Sequence, residues 1–453
     1  MHPSADRLFG CRGIRPSGRA LRLPPFARLA GDRLYPPLRR GRRRLSPGGR
    51  LRGSDFPRPV SHRLNPGTFH ERTVVTKPNP VARRVPRDRA HAGRGGPSDR
   101  EPHADLRDGE GVPRLAARKA GTRTTLANPL RIGIVGTGGM GSHHARELQQ
   151  RDDAWVVALC DVAEASLNRA AEAFAAHGQH PTRHRDLAAM LSQESLDGVV
   201  IATPHTQHTH HITLALEAGC HVLCEKPMAT EAATARAVTD LAKRQGRVLA
   251  IAYQRHGDPF YRRAHETIAS GAIGPLRLIT VLIAQDCLAN FLPGRTWRAD
   301  PALSGGGHFM DTGSHIVDML LFVSGLQPAS VFANIDNHGT NVDVLTALSL
   351  RFEGGAVGTF AATSLSPEWR EEFSFYGEQG VLNLRGDLTL HLRGARPEKL
   401  EPSGPSVTPV ANWLAAIRGE AEVQAPPLYG LRVAQISEAA YASQRSGQNE
   451  PVR

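Results

Sequence analysis

Between residues 131 and 252, short apolar runs alternate with helical stretches, and a glycine loop stands at the first junction. This alternation limits the possible folds more than any other feature. Residues 131–135, 154–160, 197–202, 221–224 and 248–252 read as buried strands, and 139–150, 164–177, 206–218 and 231–245 as helices between them. Repeated strand–helix–strand units require a parallel sheet with right-handed crossovers and helices on both faces. After Gly271 the texture changes. Strand patterns at 276–285, 329–336, 344–352, 356–363, 372–376, 380–384 and 388–392 follow one another, with Glu353-Gly354-Gly355 as a hairpin turn. One helix over 311–323 interrupts them, and two late helices, 410–418 and 429–445, close the chain. This predicts an α+β unit with a largely antiparallel open sheet, whose uncovered face suits a second subunit.

Charge divides the chain elsewhere. Residues 1–130 hold 29 Lys and Arg against 10 Asp and Glu, a net of +19, within a whole-chain charge of +13. The remainder is therefore −6, and the basic character says nothing of the part that folds, which weighs against a nucleic-acid partner. Seventeen of the 33 prolines lie in the first 130 residues, where no apolar period is sustained. Such a stretch cannot offset its ordering entropy by burial. It reads as a disordered basic segment, or as upstream sequence translated from a mis-called start, with Leu126 as the true initiator. Arg39-Arg40-Gly41-Arg42-Arg43-Arg44 lacks the apolar run that an export signal needs. No apolar run reaches the roughly 18 residues of a membrane helix. The cysteines Cys11, Cys160, Cys220, Cys224 and Cys287 show no metal-ligand spacing. Their odd number and the lack of a secretory signal point to the cytoplasm.

Gly136-Thr137-Gly138-Gly139-Met140-Gly141 follows the first strand and opens a helix. Gly136 permits the tight turn, Gly138 lets backbone approach a pyrophosphate, and Gly141 lets the helix pack closely, with its amides aimed at the phosphates. Asp161 ends the second strand 20 residues after Gly141. A carboxylate there accepts from the adenosine ribose and repels a 2′-phosphate, so NAD is expected over NADP. The expected organisation is a disordered segment over 1–130, an NAD-binding Rossmann domain over 131–252, and an α+β substrate-binding and oligomerisation domain over 253–453.

Thr203-Pro204 and Glu225-Lys226-Pro227 follow the next two strands and lie at the carboxyl edge, where ligands of such sheets bind. Thr203 and Pro204 are expected beside the nicotinamide ribose. His208 either bonds near the cofactor or is simply a first-turn residue, and His205 reads as bland. His143, His144, His210 and His211 read as helix-surface positions. Residues 131–453 hold three lysines, Lys226, Lys243 and Lys399. Lys226, stiffened by Pro227, stands where a hydride-transfer enzyme places an electrophile. Further on, Gly305-Gly306-Gly307-His308-Phe309-Met310-Asp311-Thr312-Gly313-Ser314-His315 puts Asp311 and His315 four apart, on one helix face. A carboxylate beside an imidazole makes it a better base. The glycines would let this helix approach a ligand, and Asp318 reads as structural.

Together these segments, with Tyr253-Gln254-Arg255, Trp297-Arg298, Gly430-Leu431-Arg432 and the tail from Glu438 to Gly447, resemble the Gfo/Idh/MocA oxidoreductase family over about 131–450. Residues 1–130 have no counterpart in that pattern. His256-Gly257 departs from the Arg-then-aromatic that relatives often carry, which bears on substrate contacts. The resemblance implies NAD-dependent hydride transfer at a secondary alcohol or ketone of a sugar, inositol or related polyol. In that reading His315 is the general base, Lys226 stabilises the alkoxide, and Asp311 orients His315 or binds a neighbouring hydroxyl. Arg255, Trp297 and Arg298 are candidate substrate contacts. No metal is implied, and a homo-oligomer, dimer or tetramer, is expected. An NAD-dependent glycoside hydrolase and a non-catalytic NAD-binding regulator are the alternatives on this fold.

Overall fold

The computed structural model describes residues 129–453; the expectations for the basic segment and for Leu126 as initiator lie outside them. The first sheet is built from β1 (Leu130–Val135), β2 (Ala154–Cys160), β3 (Thr182–His184), β4 (Gly198–Ile201), β5 (His221–Cys224) and β6 (Leu249–Ile251). It is wholly parallel, in the order β3-β2-β1-β4-β5-β6 of a dinucleotide-binding fold. The connecting helices are α1 (Gly139–Gln149), α2 (Glu164–Ala175), α3 (Leu187–Gln193), α4 (His208–Glu217) and α5 (Ala232–Gln245). Ile132, Ile134, Val200 and Leu223 point to one face and join a core with Leu148 of α1 and Phe174 of α2. Val135, Val199, Ile201 and Val222 point to the other and pack with α3, α4 and α5. The strands read as unbroken apolar runs because both faces are covered.

The second sheet is nine-stranded. Helix α6 (Pro259–Ala269) precedes it, and its first strand, β7 (Leu276–Asp286), is followed by α7 (Pro301–Ser304) and α8 (Ser314–Ser324). There follow β8 (Pro328–Asp336), β9 (Leu345–Phe352), β10 (Val357–Thr363), β11 (Leu365–Gly377), β12 (Gly380–Arg385), β13 (Asp387–Leu392) and β14 (Glu398–Lys399). The chain ends with α9 (Pro409–Ile417), α10 (Pro427–Ser446) and β15 (Glu450–Pro451). The order is β14-β13-β12-β11-β7-β10-β9-β8-β15, antiparallel throughout except that β7 and β10 run parallel. One face alternates Ile279, Val281, Leu348, Leu350, Phe360, Phe373 and Phe375 into a core with α6, α8 and α10. The other presents Phe332 and Val357 to solvent, 37% and 38% exposed.

Helix α6 has no counterpart in the apolar pattern, although its start was readable. Asp258 caps it through Phe260 N at 2.8 Å, with Pro259 in the first turn. Asp300-Pro301 opens α7 and Thr408-Pro409 opens α9 in the same way.

Helix α9 departs from the expected grouping of 253–453 into one domain. Its Val410, Trp413 and Leu414 are fully buried against Leu130, Ile132, Val200 and Leu223, so α9 joins α1 and α2 in covering one face of the parallel sheet. A Cβ added at Gly198 of β4 would fall 2.7 Å from the Trp413 indole, so the helix sits directly on the strand. Trp413→Ala should lower stability by about 3–5 kcal/mol, the usual cost of emptying so large a buried site. Urea unfolding measures it; a loss under about 1 kcal/mol would show that α9 is not part of this core.

Candidate active site

The site is assembled from loops at the carboxyl edge of the parallel sheet and from the stretch before α8. At the first loop, Gly136 has φ +85°, and a Cβ there would fall 2.5 Å from the Ala202 carbonyl oxygen. A Cβ at Gly141 would fall 1.8 Å from Gly136 O. Both glycines are demanded by the fold itself. Gly138 and Gly139 are not, since a Cβ on either meets nothing within 4 Å. They border open space in front of the first turn of α1, which no side chain caps and no acidic residue occupies. A pyrophosphate fits such a place, where helix amides and the positive end of the dipole face outward. Met140 lies on the rim, 39% exposed. Thr137 is buried, and its N and Oγ1 donate to Asp161 Oδ2 at 2.7 and 3.1 Å. Ala163 N donates to Asp161 Oδ1 at 2.8 Å. The carboxylate at the end of β2 is thus held against the glycine loop.

Lys226 reaches across to the second sheet's side of the cleft. Its Nζ donates to Asp311 Oδ1 at 2.6 Å and to the Asp311 carbonyl at 3.1 Å. Arg298 Nε donates to Asp311 Oδ2 at 2.7 Å, and His205 Nε2 lies 3.7 Å from Oδ1. Burial alone would raise the Asp311 carboxyl, but Lys226 and Arg298 hold it well below the ordinary carboxylate range. Asp311 and His315 do not sit on one regular helix. Asp311 lies in a π-helical turn, Phe309–Gly313, and α8 begins only at Ser314. The Asp311 carboxylate is taken by Lys226 and Arg298, where the sequence suggested an imidazole. His315 is buried in the first turn of α8, its ring edge-on to Tyr253 at 6.1 Å between centroids. Burial, then the charges of Lys226 and Arg255, hold its imidazole well below the usual value, so the ring is neutral at pH 7.

Three histidines of the first sheet belong to this place, and their roles were missed or left open. His144, expected on a helix surface, is buried in α1, with Nε2 2.7 Å from Glu225 Oε1. Burial opposes ionisation of Glu225, yet the hydrogen bond and charge of His144, with Lys226, keep its pKa below the ordinary value. Lys226 N donates to Glu225 Oε2 at 3.2 Å, so the pair links α1 to the lysine loop. His208 is fully buried in the first turn of α4, with Nδ1 2.7 Å from Pro227 O and Nε2 2.8 Å from Thr203 O. It lies between the Thr203-Pro204 loop and the Glu225-Lys226-Pro227 loop; burial pushes it down to about 4, so the neutral ring donates to one of the two carbonyls. His205, read as bland, is buried between Ser304 O, 3.0 Å from Nδ1, and Asp311. The Trp297 ring packs edge-on to it at 4.7 Å, and the Arg298 guanidinium lies over Trp297 at 4.6 Å. His211 is half-buried, with Nδ1 3.0 Å from Thr203 Oγ1. The clue for all three was position: histidines facing the sheet or following a strand's carboxyl end.

Two expected substrate contacts are engaged within the protein. Arg255 is buried, with Nη2 2.5 Å from Glu371 Oε2 on β11, and Tyr261 Oη donates to Glu371 Oε1 at 2.6 Å. Arg298 clamps Asp311, as described above. His256, expected to bear on substrate contacts, is in the core. Its Nε2 lies 3.0 Å from both Asp318 oxygens and its Nδ1 2.9 Å from Gln424 O, which gives Asp318 the structural role read from the sequence. The three glycines before α8 serve packing against protein: a Cβ at Gly305 would meet Thr230, at Gly306 Tyr441, and at Gly307 Asp343. Asp343 accepts from Gly307 N and Phe309 N at 2.7 Å each and from Tyr441 Oη at 2.6 Å, fastening the turn that carries Asp311. His308 is buried with Nε2 2.8 Å from Gln285 Oε1, and burial pushes it down to about 4. Among the described residues, no group of three His, Cys, Asp or Glu could hold a metal ion. No described helix is long and apolar enough to cross a membrane.

Residues 130–253 match the model of the oxidoreductase family's NAD-binding Rossmann fold, and 261–383 match that of the GFO/IDH/MocA C-terminal domain. D-glucoside 3-dehydrogenase of Escherichia coli is 32% identical over 200 residues, 44% of this chain and 55% of that enzyme. The alignment thus spans little more than half of that relative. D-apiose dehydrogenase of Paraburkholderia graminis is 27% identical over 357 residues, 73% of this chain and 92% of that enzyme. Among solved structures, the WlbA dehydrogenase from Bordetella pertussis, in complex with NADH and UDP-GlcNAcA, aligns with TM-score 0.63 and 25% identity. The match covers 72% of this chain and 99% of that one. Levoglucosan dehydrogenase, in complex with NADH and levoglucosan, aligns at TM-score 0.63 and 22% identity over the same shares, a likeness of fold. With the first sheet and the larger part of the second matched, the chain belongs to the Gfo/Idh/MocA family of oxidoreductases.

Proposed function

We propose that this protein is an NAD-dependent dehydrogenase that interconverts a secondary alcohol and a ketone on a sugar, inositol or related polyol. The observation that carries the proposal is the 2.6 Å contact of Lys226 with Asp311. It brings the strand-end lysine of a nucleotide-binding sheet to the turn that leads into His315. NAD held by its pyrophosphate at the glycine loop would supply the hydride acceptor through its nicotinamide. The neutral His315 ring takes the hydroxyl proton, a task that requires the base form its surroundings enforce. Lys226 stabilises the developing alkoxide, and Asp311 holds Lys226 in place or binds a neighbouring hydroxyl. Relatives described in complex with NADH and a sugar or nucleotide sugar support the substrate class. The outer face of the nine-stranded sheet, with Phe332 and Val357 exposed, is the surface we assign to homo-oligomerisation. The buried thiols of Cys160, Cys220 and Cys224 suit a reducing cytoplasm.

The direct test is formation of NADH, followed by absorbance, over a panel of sugars and inositols. A hydrolase would release product with no net NADH, and a regulator would give neither. Lys226→Ala should lower kcat at least about a hundredfold while NADH still binds. Near-normal turnover in that variant would remove Lys226 from the chemistry.

The acid limb of kcat/KM should lie well below pH 6.5. A base whose folded pKa is lowered stays deprotonated as pH falls through its ordinary range, and activity goes only near the lowered value. His315→Asn should abolish that limb. An acid limb centred at or above 6.5 in the parent enzyme would point to a different base.

Cofactor choice is assigned to Asp161. Asp161→Ser removes the carboxylate that would repel a 2′-phosphate, and kcat/KM for NADP relative to NAD should rise. A parent enzyme that already prefers NADP would contradict the assignment.

A further inference from the structure

His205 has a feature that no role in hydride transfer explains. Its Nδ1 lies 3.0 Å from the Ser304 carbonyl oxygen, which can only accept, so Nδ1 carries the proton. Burial keeps the ring neutral, with Asp311 opposing, and Nε2 is then a bare acceptor. That acceptor faces Asp311 Oδ1, a second acceptor, across 3.7 Å. The distance is too long for a hydrogen bond, and two facing lone pairs repel. A hydroxyl placed beside them would donate its one proton to Nε2, since Oδ1 already accepts from Lys226 Nζ at 2.6 Å. The gap adjoins the catalytic ammonium, because Lys226 Nζ lies 2.6 Å from the same Oδ1. The ring cannot turn away: Trp297 packs edge-on at 4.7 Å, and Ser304 O holds the far nitrogen.

We propose that His205 is a specificity-determining residue: its Nε2, beside Asp311 Oδ1, accepts a hydrogen bond from the hydroxyl on the carbon next to the one oxidised, so that the enzyme requires a vicinal diol. The inference rests on the dehydrogenase reading above and narrows its substrate class. A hydroxyl held at Lys226 has its vicinal neighbour beside the ammonium, and Asp311 Oδ1, 2.6 Å from Nζ and 3.7 Å from His205 Nε2, brings the imidazole to that place. An isolated alcohol would leave the buried Nε2 of His205 without a donor from the substrate. Sites built around a substrate hydroxyl reject analogues that lack it far more strongly than apolar pockets reject a missing methylene.

The test is a cycle between residue and substrate. Of myo-inositol and D-glucose, the one that the parent enzyme oxidises faster is compared with its monodeoxy analogues at the positions flanking the oxidised carbon. His205→Phe keeps a ring without an acceptor, and His205→Asn keeps an amide in a smaller side chain. NADH binding by fluorescence and thermal melting establish that each variant is folded. The expected result is that His205→Phe lowers kcat/KM at least about tenfold on the full polyol. It should change kcat/KM less than about twofold on one flanking deoxy analogue, which the parent already handles poorly. His205→Asn, the milder change, should show the same coupling if the phenylalanine variant does not fold. Equal losses on the polyol and on every deoxy analogue would make His205 a structural residue only. An absence of loss on any substrate would exclude it from recognition, with the dehydrogenase reading intact. A parent enzyme that binds NADH but oxidises no polyol would overturn that reading, and the diol requirement with it.

Discussion

A carboxylate removed from water has to find cations or give up its charge, and Asp311 is the point where this constraint shapes the molecule. Its compensating groups come from separate stretches: Lys226 from the end of β5 and Arg298 from the turn before α7. No single element could supply them. The stretch before α8 must therefore dock on the carboxyl edge of the parallel sheet, where the end of β5 delivers Lys226. Asp343 and Tyr441 fix the far side of that stretch. The cleft is the place where the ion cluster and these backbone clamps can be satisfied together.

What was legible in the sequence follows from how local each signal is. The buried strands stood out because Ile132, Ile134, Val199 and Val222 are covered from both sides, and a run of apolar residues survives any error in register. The glycine loop was legible because turn geometry and close packing at Gly136 and Gly141 admit nothing larger. The π-helical turn was not. It shifts Asp311 relative to His315, and nothing in a four-residue spacing distinguishes a regular helix from one with a bulge. Helix α6 was hidden for a different reason. It shows only Ala264 and Thr267 to the core as fully buried residues, so its apolar stripe is thin, and its Asp258-Pro259 start was the better signal.

The histidines mark the limit more sharply. Along a sequence His144 is one of two adjacent imidazoles in a polar helix, and only the placement of Glu225, 81 positions later, makes it a buried partner. His205 owes its environment to Ser304, Trp297 and Asp311, all roughly a hundred residues distant. Arg255 shows the converse. An arginine after a strand end looks available for a ligand until Glu371 of β11 arrives beside it. A residue's type gives its chemical capacity, and only the tertiary fold shows which partner has already claimed it.

Helix α9 carries a consequence for how this protein is made. The face of the parallel sheet formed by Ile132, Val200 and Leu223 is closed by Trp413, about 280 residues after the first strand. Chains emerge from the ribosome at about 5–20 residues per second. The nucleotide-binding half therefore waits on the order of tens of seconds, with part of an apolar face uncovered, while the whole second sheet is synthesised. During that interval the six strands have their ladder but not their last layer. The fold is sewn shut from its end, and a chain stalled before residue 409 would hold every cofactor-loop residue and still lack a finished core.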